Sequence, residues 1–296
     1  MNYEKKTISL PNGETYHYIE QGTGPKTILL VHGNMSSSVH YHPMLMRIPN
    51  EFKVYAMDLR GFGDSTYINR INHLKEFAED LSLFMDRLHI KKASLVGWST
   101  GGGIALEFAS RYPSKTEKVV LIESTSHKGY PIFKKDSTGV PQIGVPYATK
   151  EEMALDPIQV APAVKAMEDK NVPFMSWLWD QAIYTVNKPD PQEHIIYINE
   201  TLKQRNLVDI DWALATLNMS NTRNVYVEGD GSIHNIKAPV LHIWSKKDLV
   251  VPNYMLNENV EALKDQSEVI IYEHSGHSPL VDVPDQLTVD ILRFIK

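Results

Sequence analysis

The 296-residue chain has no cysteine. Disulfides, a cysteine nucleophile and thiolate metal sites are therefore excluded, and the absence is compatible with a reducing compartment. No stretch reaches the roughly 18 consecutive apolar residues of a membrane span. The N-terminal MNYEKKTISLPNGETYHY lacks the apolar centre of a secretory signal. Positive charge is also in short supply, with 30 Lys and Arg against 36 Asp and Glu. Such a balance leaves no electrostatic footprint for a phosphate backbone. Nucleotide motifs are missing too: DLRGFGDS at 58–65 fits neither G-x-x-x-x-G-K-[ST] nor G-x-G-x-x-G. The expectation is a cytoplasmic protein acting on a small molecule, with no cofactor, no nucleic acid and no membrane span.

What is present is a chain long enough, at 42% hydrophobic residues, to bury a sizeable core. Two short strands are expected near Lys6–Leu10 and Thr15–Glu20, turned by PNG at 11–13. Then come continuous apolar runs typical of buried parallel strands: TILLV, KVYAM, ASLVG, KVVLIE, PVLHIW and SEVIIY. Between them lie helical stripes, one carrying Phe77, Leu81, Phe84, Met85 and Leu88. Strands alternating with helices of this length imply an α/β fold, a mainly parallel sheet covered on both faces. The alternation stops after Glu123 and resumes at Pro239. A gap of that length needs structure of its own. Residues 126–234 are therefore expected to form an inserted, mostly helical cap, with helices near 151–169, 172–186, 191–204 and 209–218. Core segments 1–125 and 235–296 flank it.

The strongest chemical signal is Gly97-Trp98-Ser99-Thr100-Gly101, placed between an apolar strand and a helix. A G-x-S-x-G turn in that context lifts the serine hydroxyl above the sheet, where the helix start offers free backbone N–H groups. Serine needs a base, and the base needs an orienting carboxylate. His277 is the preferred base, with His274 its rival three residues earlier. Asp248, just beyond PVLHIW, is the preferred acid, with Glu123 at the end of LIE as the alternative. The Thr100 N–H and the Asn34 N–H are the candidate oxyanion donors, with Met35 a neighbouring alternative to Asn34. His32 is read as shaping that loop. Asp58 and Arg60 are expected to form a local ion pair. His40 and His42 make an H-x-H pair, but no carboxylates stand at useful spacing, so no metal is assigned.

Five marks in order, VHGN at 31–34, DLRGFGDS at 58–65, GWSTGG at 97–102, KKDLVVP at 246–252 and SGHSP at 275–279, resemble the α/β-hydrolase fold superfamily. The resemblance spans nearly the whole chain and points to its serine esterase and lactonase branch, with a helical cap. It implies Ser99, Asp248 and His277 as a triad, and backbone N–H groups of Asn34 and Thr100 as the oxyanion hole. Relatives that cleave haloalkanes or epoxides generally use an aspartate where this chain has Ser99, which argues against both reactions. The implied activity is hydrolysis of a small or medium, largely uncharged carboxylic ester or lactone through an acyl-enzyme. Amide or C–C bond cleavage by the same triad, and ligand binding without catalysis, are the alternatives. Met35, Trp98, Trp177 and Trp179 are candidates for lining the substrate pocket.

Overall fold

Alternating side chains on the central strands feed two separate cores in the computed structural model, which describes residues 4–296. The strands are β1 (Lys6–Ser9), β2 (Thr15–Gln21), β3 (Lys26–Val31), β4 (Phe52–Met57), β5 (Ala93–Trp98), β6 (Thr116–Ile122), β7 (Phe133–Lys135), β8 (Pro141–Pro146), β9 (Val240–Ser245) and β10 (Ser267–Tyr272). Eight of them form one sheet in the order β1-β2-β4-β3-β5-β6-β9-β10. β1 and β2 are antiparallel to their neighbours; from β4 onward every pairing is parallel. Leu29 and Val31 face one core with Leu95, Val119 and Leu121. Ile28 and Leu30 face the other with Val96, Val120, Ile122, Leu241 and Ile243. This is the period-two alternation of a strand buried on both faces.

The helices are α1 (His42–Leu45), α2 (Lys75–Arg87), α3 (Thr100–Arg111), α4 (Lys150–Met153), α5 (Ala161–Glu168), α6 (Val172–Ala182), α7 (Pro191–Thr201), α8 (Leu207–Ala215), α9 (Asn253–Ala262), α10 (Pro279–Asp282) and α11 (Pro284–Ile295). Phe77, Leu81 and Phe84 of α2 and Ile104 and Phe108 of α3 cover the first core. Leu287, Ile291 and Ile295 of α11 cover the second. Among the described residues, no helix is long and apolar enough to cross a membrane.

Between β6 and β9 lie a hairpin, β7–β8, and five helices, α4 to α8. The hairpin was not expected. The single helix anticipated over 151–169 is two, α4 and α5, with a break around Asp156. Pro157 explains it, because it lacks an N–H and disfavours helical geometry in the residue before it. Asp156 instead accepts hydrogen bonds from the N–H groups of Ile158 (2.8 Å) and Gln159 (2.7 Å), and pairs with Lys135 (2.8 Å). The expected Asp58–Arg60 pair is also replaced. Arg60 pairs with Asp80 (2.8 Å) and Asp58 with Lys5 (2.8 Å), because these partners reach the buried carboxylates from other elements. Lys5, just before β1, also meets Asp64 at 2.7 Å and Glu200 of α7 at 3.0 Å, tying the start of the strand to both the core and the helical insertion.

Candidate active site

Ser99 sits between β5 and α3 with φ 57° and ψ −119°, a conformation rare for a residue with a side chain. Small neighbours allow it. A Cβ on Gly97 would lie 2.2 Å from the Gly101 carbonyl, and one on Gly101 would lie 2.0 Å from that of Val31. The turn is fixed by the Ser99 N–H donating to Ile122 (2.8 Å) and by Gly102 N–H donating back to Ser99 (2.9 Å). Ser99 is half-buried, at the carboxyl end of the parallel strands.

Two further loops leave the same sheet end. Asp248 follows β9 and His277 follows β10. Their side chains meet, His277 Nδ1 to Asp248 Oδ2, at 2.9 Å, both nearly fully buried. His274 is exposed. The Trp98 indole N–H donates to the His277 carbonyl (2.8 Å), and the two rings lie 5.8 Å apart, which holds the histidine loop against the serine turn. Asp282 supports that loop, accepting from the N–H of Gly276 (2.7 Å) and of Asn187 in the cap (2.9 Å).

Glu123 lies directly behind Asp248. It is fully buried with φ 44°, and its Oε2 accepts the Ser245 N–H at 3.1 Å. Its other oxygen finds no ordinary donor, but its carboxyl is in hydrogen-bond contact with Asp248. Two carboxyls in contact share one proton. Burial and the Asp248 charge push Glu123 well above the usual carboxyl range. Burial alone would also raise Asp248, but the charge and hydrogen bond of His277, together with the Glu123 hydrogen bond, hold it low. These directions place the shared proton on Glu123, whose O–H donates a hydrogen bond to the Asp248 carboxylate.

The loop after β3 lies against Ser99: a Cβ on Gly33 would approach the Ser99 Cβ to 3.0 Å. His32 anchors the loop. Its Nδ1 bonds the Gly33 carbonyl (2.8 Å), and its Nε2 accepts the Leu59 N–H (3.1 Å). Burial depresses its pKa to about 4, so it is neutral. Met35 has φ 57°, and its N–H is taken by the side chains of Asn34 (3.0 Å) and Gln204 (2.9 Å). Thr201 donates to the Met35 carbonyl (2.5 Å), and Gln204 Nε2 donates to Asn34 Oδ1 (2.8 Å). Asn34 Nδ2 donates to Asp211 Oδ1 (3.0 Å). Thr201, Gln204 and Asp211 all belong to the segment between β6 and β9. None was singled out from sequence, and no local pattern marks them.

The aromatic candidates divide. Trp98 and Trp179 are buried and meet edge to face at 6.4 Å. Trp179 also stacks on His40 at 5.1 Å. Trp177 is 55% exposed and lies against Phe174, on the side of α6 away from Trp179, so the structure does not bring it to the serine. His40 accepts the Ser37 N–H (3.0 Å), whereas His42 faces Glu193 (3.3 Å); the two do not converge. An open groove of about 650 Å³ lies over residues 63–67, Lys170, Lys203 and Arg205, and Ser99, Asp248 and His277 do not line it. Asp58, Asp64 and Glu200 cluster closely enough to suggest a cation site, but the Lys5 ammonium lies among them.

Residues 26–143 match the family model described as alpha/beta hydrolase fold. An esterase from Exiguobacterium antarcticum superposes with a TM-score of 0.75 at 18% identity, over 99% of both chains. The protein thus has the α/β-hydrolase fold, with a helical insertion between its sixth strand and the last two strands of the sheet. By sequence, a pimeloyl-[acyl-carrier protein] methyl ester esterase of Vibrio vulnificus is 24% identical over 283 residues, covering 94% of this chain and 97% of that one. The dihydrolipoyllysine-residue acetyltransferase component of the acetoin cleaving system of Pseudomonas putida is 25% identical over 283 residues. That match covers 93% of this chain but only 65% of the longer relative.

Proposed function

We propose that the protein is a serine esterase that cleaves small or medium carboxylic esters or lactones through an acyl-enzyme. The observation that carries this reading is the buried 2.9 Å contact between His277 and Asp248, held beside the strained Ser99 turn by Trp98. With its Nδ1–H given to Asp248, the imidazole keeps Nε2 free to take the Ser99 proton. Ser99 Oγ attacks the carbonyl carbon. The developing oxyanion is received by the N–H of Thr100, unpaired at the first turn of α3, and by that of Asn34. The Met35 N–H is already engaged, which favours Asn34 over it. His277 then protonates the leaving alcohol and activates the water that releases the acid. In this reading residues 126–234 act as a cap that shields the acyl-enzyme from bulk water.

Intact-protein mass spectrometry during turnover of p-nitrophenyl esters of increasing acyl length tests the assignment. A transient adduct of one acyl group is expected in the wild type and is absent in Ser99→Ala, whose turnover falls by several orders of magnitude. An adduct that survives in Ser99→Ala overturns the nucleophile. Absence of Ser99-dependent turnover on every ester overturns the esterase reading.

A further inference from the structure

Most buried carboxylates in this protein face a cation. Asp58, Asp80, Glu107, Asp156, Glu200 and Asp209 each lie within 3.0 Å of a lysine or arginine nitrogen. Three others have none among the described residues: Glu14 accepts from Thr66, Ile68 and Asn69, Asp290 from Tyr272 and Gln286, and Glu123 from Ser245 while touching Asp248. Asp211, on α8, departs from this pattern. It is only 8% exposed, it pairs with no lysine or arginine among the described residues, and its hydrogen bond comes from one neutral amide, Asn34 Nδ2, at 3.0 Å. Burying a carboxylate against a single neutral donor is costly, and such groups concentrate where a ligand completes them.

Its location gives that ligand a place. Asn34 belongs to the loop that abuts Ser99. On the other side stands Tyr130, whose N–H donates to Leu214 of α8 (2.9 Å) and whose hydroxyl donates to Val250 (2.8 Å), two residues past Asp248. Tyr130 feels the charges of both Asp248 and Asp211. Asp211 is thus tied by Asn34 to the loop that abuts Ser99, and shares Tyr130 as a neighbour with Asp248.

We propose that Asp211 is a specificity residue whose carboxylate receives an ammonium group carried by the ester substrate. This rests on the serine esterase reading above and narrows its substrate class from a largely uncharged ester to one bearing a single amine. Left without a cation, the carboxyl is pushed by burial up to about 7, the Asn34 hydrogen bond only partly opposing this. An ammonium partner supplies the missing charge and lets the group ionise.

The test compares esters matched in shape. Benzyl β-alaninate is set against benzyl butanoate for an amine on the acyl side. For the alcohol side, 3-(dimethylamino)propyl butanoate is set against 4-methylpentyl butanoate. Each kcat/KM is divided by the hydroxide-catalysed rate of the same ester. The wild type is expected to favour the charged member of at least one pair by roughly tenfold or more, and Asp211→Asn, which keeps an acceptor for Asn34, is expected to lose that preference. Should Asp211→Asn fail to fold, the wild-type ratios and competitive inhibition by n-propylammonium, compared with propan-1-ol, carry the test. Ser99-dependent turnover with no preference in either pair, or a preference undiminished in a folded Asp211→Asn, overturns the proposal while sparing the esterase. No Ser99-dependent turnover of any ester overturns both.

Discussion

Glu123→Gln separates two ways of building the acid behind His277. Glu123 is fully buried, accepts the Ser245 N–H at 3.1 Å and, as the protonated partner, donates to Asp248. Glutamine reproduces both roles: its carbonyl accepts from Ser245 and its amide donates to Asp248. Exchanging one neutral donor for another costs about 0.5 kcal/mol, or a twofold to threefold change in kcat. Leucine at the same position removes a hydrogen bond to a charged group, about 1.5–3 kcal/mol. Fully expressed in the alignment of Asp248, that is a ~10- to 150-fold loss at 1.36 kcal/mol per decade. The loss stays below that of Asp248→Asn, on the order of 10⁴-fold, because the Val250 and Val251 N–H groups still hold Asp248 at 2.6 and 3.0 Å. Steady-state kinetics on a p-nitrophenyl ester, with near-ultraviolet circular dichroism to verify folding, ranks the variants. If folded Glu123→Gln proves as crippled as Asp248→Asn, Glu123 works as an anion and the proton has been placed on the wrong carboxyl.

Gln204→Ala removes one of the two acceptors on the Met35 N–H and the donor to Asn34 Oδ1, and is expected to lower kcat by ~10-fold with little change in KM, since a misplaced oxyanion donor is felt mainly in the transition state; an unchanged kcat in a folded variant refutes the link. Asp211 has a folded pKa raised from its ordinary 3.8 to about 7, so its stabilising contribution is present below pH 3.8 and is lost as pH rises through about 7. Asp211→Asn should therefore gain stability over the wild type on going from pH 5 to pH 8, by up to a few kcal/mol, measured by urea unfolding at both pH values; a constant difference contradicts the assignment. Lys5→Met leaves fully buried Asp58 without its cation while Lys203 still serves Asp64 and Glu200, for an expected loss near ~3 kcal/mol, the lower end for a broken buried pair. A loss within the ~1 kcal/mol of a surface pair shows that Lys5 is not needed there.

The sheet and the serine turn were legible because their signals are local. A run such as TILLV needs only its own residues to declare a strand buried on both faces, and GWSTG declares its turn within five positions. The order of Ser99, Asp248 and His277 along the chain then follows from the strand ends that carry them. What escaped has two physical sources. β8 is exposed along most of its length and so has no burial alternation to read, and the break before α5 depends on one Asp-Pro step inside an otherwise helical pattern. The rest is long-range. Gln204 and Asp211 reach the loop after β3 across 169 and 177 residues of chain, and Asp58 and Arg60 chose partners from distant elements over each other. Two acids at two strand ends, Glu123 and Asp248, could be ranked but not combined from sequence. Their contact turns a choice between rivals into a division of labour.

The Thr201, Gln204 and Asp211 contacts tie the helical insertion directly to the loop that abuts Ser99, so in the proposed enzyme the cover is part of the machinery. Met35 keeps a left-handed backbone that its side chain disfavours, with its N–H and its carbonyl both gripped from the helical insertion. A cap that lifts to admit substrate or release product takes those grips with it, and the loop is then free to relax. On the esterase reading proposed above, bond cleavage would then be conditional on enclosure: an ester too large for the cap to shut over it would meet a nucleophile without a formed anion cradle. Under that proposal selection by size is exercised on the chemical step as well as on binding, and the acyl-enzyme would form only where bulk water has already been turned away.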